Sequence, residues 1–210
     1  MPKWIVCLAL GVLPAFGGGR PAMDPPVALY TEFEQKPPNA VLDAIQEEVA
    51  AIMSPAKLRF AWYPLAEARG RRLSPHVAVV HFKGECDTEG LLPEGGYPGP
   101  LGWTHISDGH ILPFVDINCL GIRIFVQCSL VDLPTPTRDS AFGKAVARVL
   151  AHELYHVLAN TQGHSSEGIA KARYSVQELL APIFQLGRKE QDALRSSTAG
   201  WTLEPAAGGE

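Results

Sequence analysis

The stretch from about 141 to 159 constrains this chain more than any other. Its apolar side chains, Phe142, Val146, Val149, Leu150, Leu154 and Leu158, recur at a helical period. Pro134 and Pro136 break the chain before it, and Asp139 or Ser140 is the expected cap. Inside this helix stands His152-Glu153-Leu154-Tyr155-His156. Four helical residues turn about 400°, so both imidazoles project from one face, one turn apart. Two histidines at that spacing reach a single metal ion at about 2.0–2.1 Å. Glu153 points beside such an ion rather than at it, which suits a general base for a water acidified by zinc.

A catalytic zinc has three protein ligands and one open position. His164 is the first choice for the third, because the helix is expected to end near Asn160 and Gly163 can turn the chain back toward the metal. Glu167 and Glu178 are the rivals. Tyr155 is expected to pack beside the helix. Tyr174 is a candidate hydrogen-bond donor near the floor of the site. His105 is expected as a solvent-facing side chain of the edge strand rather than one lining the cleft, and His76, His81 and His110 have no partners at ligand spacing. There is no G-x-S-x-G, no recognisable Cys/His nucleophile pair and no Gly-rich phosphate loop before a helix.

Upstream, Val27 to Phe33 reads as a strand. Residues 40–53 read as a helix, with Val41, Leu42, Ile45, Val49 and Ile52 on its apolar face and Asn39 as its cap. Leu58 to Pro64 is β-rich, and Val77 to Phe82 suits a strand buried on both faces. Asp108-Gly109 joins the strands Gly102 to Ser107 and Ile111 to Asn118 into a hairpin. Periodicity leaves Ile122 to Leu130 open between strand and short helix. A last helix is expected over roughly 174–186. The order implies one α+β domain with a twisted mixed β-sheet, an active-site helix and a C-terminal helical part.

The ends read differently. Lys3, the apolar run Trp4 to Leu13 and the small-residue stretch Ala15-Phe16-Gly17 predict a signal peptide over residues 1–19. The domain then spans 20–195, and 196–210 is expected to be a disordered tail. A signal places the protein in a secreted or periplasmic location, with no membrane association after cleavage. In that oxidising setting Cys86, Cys119 and Cys128 leave room for one disulfide, and Cys86–Cys119 is favoured because each lies at a strand end. With 19% charged residues, a net charge of −4 and only Arg69, Arg71 and Arg72 as a basic run, no nucleic-acid partner is expected.

Over about residues 150–164 the sequence resembles the zincin metallopeptidases. Within them it most resembles the metzincins, whose pattern is H-E-x-x-H-x-x-G-x-x-H. It departs from that pattern at three points. Ala159 holds the glycine position, Gln162 stands where the third histidine falls, and His164 comes two residues later. The methionines Met1, Met23 and Met53 all lie upstream, so the family's methionine turn is missing, and the stretch Ala172 to Ser175 is expected to build the floor instead. The resemblance implies a single zincin-like domain and a Zn2+ ion on His152, His156 and His164, with Glu153 as catalytic base. It also implies a peptide or protein substrate bound along an edge strand in the region of Leu101 to His105 and Ile111 to Phe114. The expected function is that of a monomeric secreted zinc metallohydrolase, a metallopeptidase. The alternatives are a zinc hydrolase of a non-peptide substrate and a non-catalytic exported metal-binding protein.

Overall fold

A computed structural model describes residues 25–69 and 76–198. The expected signal peptide, Arg71, Arg72 and residues 199–210 lie outside the described residues. The elements are β1 (Val27–Phe33), α1 (Asn39–Met53), β2 (Phe60–Pro64), β3 (Val77–Lys83), β4 (Gly102–Ser107), β5 (His110–Asn118), α2 (Cys119–Val126), α3 (Thr135–Leu158), α4 (Val176–Leu179) and α5 (Arg188–Thr198).

The five strands form one mixed sheet in the order β2-β1-β3-β5-β4. β1, β2, β3 and β5 run parallel, and β4 is an antiparallel edge strand folded back on β5 by the Asp108-Gly109 turn. Both turn residues take positive φ (51° and 79°), as a tight hairpin of this kind requires. β3 differs from expectation. Ala78, Val80 and Phe82 are fully buried, but the alternating residues are only half-buried. The reason is that α1 and α3 both join the core cluster on the face of Ala78, Val80, Phe82, Val115 and Ile117. The other face carries polar groups. There Asp116 takes a hydrogen bond from Lys83 and pairs with His105 at 2.9 Å.

Several boundaries correct the sequence reading. α3 starts at Thr135, with Pro136 in its first turn and no side-chain cap. A proline there lacks only an N–H that has no helical partner, so it opens the helix rather than breaking the chain. Asp139 is inside the helix and accepts a hydrogen bond from the Thr88 hydroxyl. Asn39 likewise begins α1 without a capping bond. The open segment after β5 is helical. The Asn118 side chain accepts from Gly121 N at 2.8 Å and starts α2, so Cys119 opens a helix instead of ending a strand. Cys119 is bonded to Cys86 as expected, with Cα atoms 4.9 Å apart, and Cys128 is free.

The expected helix over 174–186 is instead two elements. α4 begins at a Ser175–Glu178 capping box and lasts one turn. Pro182 disfavours helical φ/ψ at Ala181, so the chain leaves the helix there. α5 begins only at Arg188 and includes residues 196–198, which were expected to belong to the tail. Arg148, fully buried on α3, holds this segment in place. It pairs with Glu48 of α1 at 2.7 Å and donates to the carbonyls of Glu178 and Leu179. An unpaired guanidinium at that depth would be strongly destabilising, so these partners anchor the C-terminal segment against α3.

Candidate metal centre

His152, Glu153 and His156 lie in the last two turns of α3, and all three are buried. α3 ends in a Schellman motif. Asn160 N donates to Val157 O at 3.3 Å and Thr161 N donates to His156 O at 3.1 Å. Asn160 takes the left-handed position, φ 48°. The reversal therefore belongs to Asn160 and not to Gly163, which is not among the positive-φ residues. Asparagine tolerates that conformation better than other side chains, and here it stands one residue after Ala159.

The turn brings His164 back over the helix. The ligand atoms of His152, His156 and His164 lie within 4.8 Å of one another, the one such group of three among the described residues. Two of these side chains are held by main chain. His152 Nδ1 donates to Ile169 O and His156 Nδ1 donates to Thr161 O, both at 2.6 Å. Since a carbonyl only accepts, each Nδ1 carries the ring proton and each Nε2 keeps a lone pair. The two Nε2 atoms are 3.1 Å apart. Burial pushes His152 down to about 4, with the Ile169 carbonyl opposing, and burial also lowers His156, with the Thr161 carbonyl opposing, so burial disfavours a second proton on either ring. Two bare acceptors cannot bond each other. Their approach is what a cation between them would require.

Glu167 is exposed, and Glu178 is committed elsewhere: it caps α4 and pairs with Lys171. Neither rival reaches the histidines. Glu153 points toward the edge strand. The Thr104 hydroxyl lies 2.8 Å from its Oε2 and 3.1 Å from its main-chain oxygen. Burial pushes the Glu153 carboxyl up to about 7, against the Thr104 hydrogen bonds, which lower it. β4 approaches this closely because Gly102 has no side chain. A Cβ there would stand 2.9 Å from Val149 Cγ1 and 3.2 Å from Glu153 Oε1.

Ala172, Arg173 and Tyr174 line the cleft, but Ser175, expected with them in place of a methionine turn, does not and caps α4 instead. The Tyr174 hydroxyl donates to Ile169 O, the carbonyl that also holds His152, and lies 3.3 Å from His152 Nδ1. Tyr155 is buried beside His156. His105 does not line the cleft; it turns to Asp116 on the other sheet face. The cleft encloses about 700 Å3 between β4, the Tyr97–Pro100 loop and Lys171–Tyr174.

The sequence reading missed Thr104, Gly102 and the two carbonyls. A glycine in a strand signals close approach of another chain segment, so Gly102 was open to detection. Thr104 carries no such sign.

No protein-family model matches this chain, and no curated protein does. Among solved structures the chain is similar to the crystal structure of archaemetzincin from Methanopyrus kandleri, with 14% identity and a TM-score of 0.45, over 83% of this chain and 96% of that one.

Proposed function

We propose that this chain is a secreted zinc metallohydrolase that cleaves peptide bonds, with His152, His156 and His164 as the zinc ligands and Glu153 as the catalytic base. The observation that carries this reading is the pair of bare Nε2 atoms 3.1 Å apart, with His164 closing the third side. Tetrahedral ligands about 2.0–2.1 Å from zinc stand about 3.3 Å from one another, so the His152–His156 pair fits the ion in both chemistry and spacing, and His164 adds a third imidazole within 4.8 Å. Zinc held there supplies Lewis acidity, lowering the pKa of a water toward 7 and polarising a carbonyl.

The protein's own groups do the rest. The Ile169 and Thr161 carbonyls fix the ring orientation and tautomer of His152 and His156. Glu153, poised near neutrality, accepts the proton that the water loses and passes it to the departing amine nitrogen, as the C–O bond forms and the C–N bond breaks. β4 is the edge of the sheet among the described strands and walls the cleft, so an extended peptide can pair with it and lie across the histidines. The export reading rests on the N-terminal sequence and is supported by the Cys86–Cys119 disulfide.

The test is cleavage of a peptide library by the zinc-loaded chain and by Glu153→Gln. The expected loss in the variant is about 10²- to 10⁴-fold, the usual contribution of a positioned general base. Cleavage unaffected by the substitution, or none in the wild type, would overturn the peptidase reading.

A further inference from the structure

α5 contributes one buried acid, Glu190, which is 4% exposed and has no ion pair among the described residues. A carboxylate so placed is tolerated only where donors surround it. Its two oxygens have different duties. Oε2 accepts from Gly187 N and caps α5 from the third helical position. Oε1 is directed away from α5, into the loop that returns from the metal centre. It accepts from Ala170 N at 3.1 Å, and the Ser165 hydroxyl, shared with Glu167 O, lies 3.3 Å from it.

Those two donors have telling neighbours. Ser165 follows His164, and Ala170 follows Ile169, whose carbonyl holds His152. Ser165 N also donates to Ala170 O at 2.8 Å, so residues 165–170 close into a ring around the carboxylate. Gly168, at φ 72°, brings the loop backbone against it, and a Cβ there would stand 2.5 Å from Oε1. One oxygen atom thus contacts both the residue after the third histidine and the residue after the main-chain partner of the first.

We infer that Glu190 is a positioning residue for the metal centre, fixing the loop that presents His164 and the Ile169 carbonyl. The inference rests on the three histidines being the ligand set, and its effect on His152 is measurable without any metal.

The experiment compares the full chain with Glu190→Gln, which keeps the size but turns an amide NH2 against one of the N–H donors. In the metal-free protein the ring Nδ1–H signals of His152 and His156 are followed by NMR. The His152 signal is expected to shift or broaden, while that of His156, held by Thr161 upstream of the loop, stays. Zinc affinity measured by chelator competition is expected to fall about ten- to a hundredfold. Should the variant fail to fold, Gly168→Ala disturbs the same contact from the loop side, since a Cβ there would stand 2.5 Å from Oε1 and 2.7 Å from Oε2, and the same differential is expected. An unchanged His152 signal, or loss of both signals together, would overturn the inference. A wild type that takes up no zinc while the His152 signal alone responds supports the role of Glu190 and overturns the metal reading instead.

Discussion

Thr104 Oγ1 stands 2.8 Å from Glu153 Oε2 and 3.1 Å from the Glu153 carbonyl oxygen, so the edge strand and the histidine helix meet at the side chain proposed as the base. Neither residue makes this contact through a neighbour in sequence; 49 positions separate them. The contact orients the carboxylate and opposes the effect of burial on its charge.

Thr104→Val removes a hydrogen bond to a carboxylate, an interaction of about 1.5–3 kcal/mol. Peptide hydrolysis is expected to fall about tenfold or more. Because the Thr104 hydroxyl bond lowers the Glu153 pKa, its loss raises it further, while the backbone bond from position 104 stays, and the acid limb of kcat/KM against pH moves upward. Thr104→Ser keeps the hydroxyl and is expected to restore both rate and profile. An unaltered pH–rate profile in the valine variant would argue against the contact.

Stability of the metal-free protein carries a second signature. Glu153 is raised from 4.5 to about 7, so its contribution is fully present below pH 4.5 and is lost as pH rises toward 7. Glutamine does not titrate and loses nothing. The stability of Glu153→Gln relative to wild type is therefore expected to rise by roughly 3 kcal/mol between pH 4.5 and 7, at about 1.36 kcal/mol per unit. His152 acts in the opposite sense. Lowered from 6.5 to about 4, it makes both proteins lose stability as pH falls through that window. Urea unfolding at a series of pH values measures both trends.

Asn160 makes the left-handed turn that ends α3, and Thr161 behind it holds His156. Asn160→Ala is expected to cost about 1 kcal/mol, because a Cβ without a local polar partner is strained there. Asn160→Gly is expected to cost little or nothing. Thermal melts of the two variants distinguish a conformational requirement from a side-chain contact.

Cys86 and Cys119 are separated by 33 positions. Closing a loop of that size restricts the unfolded chain by roughly 3–4 kcal/mol. Replacing both with serine is expected to lower stability by that order, while substitution of the exposed Cys128 leaves it unchanged. Denaturant midpoints check both.

Local features were readable from the chain alone. The H-E-x-x-H spacing, the Asp108-Gly109 hairpin and the apolar period of α1 each act over a few residues, and each specifies its element directly. His164 was reachable because it follows the helix closely. What stayed hidden depends on contacts between distant segments. Thr104 joins Glu153 only once β4 lies at the sheet edge, and Arg148 meets Glu48 across 100 positions. The helix expected over 174–186 shows the same limit. Its apolar residues serve a capped turn and a loop held by Arg148 and the core, and helical spacing alone did not separate that from a continuous helix. Glu190 had a partial local sign, since Gly187 and Glu190 stand at cap-to-third-position spacing and mark the start of α5. Its reach to Ala170 had none.

X-ray absorption at the zinc edge of the zinc-loaded chain tests the central claim most directly. The account predicts one zinc per chain with three imidazole nitrogens at about 2.0–2.1 Å and a light-atom ligand in the fourth position, with one imidazole lost in His164→Ala. A chain that binds no zinc, or a wild-type shell of two imidazoles that His164→Ala leaves unchanged, would contradict it.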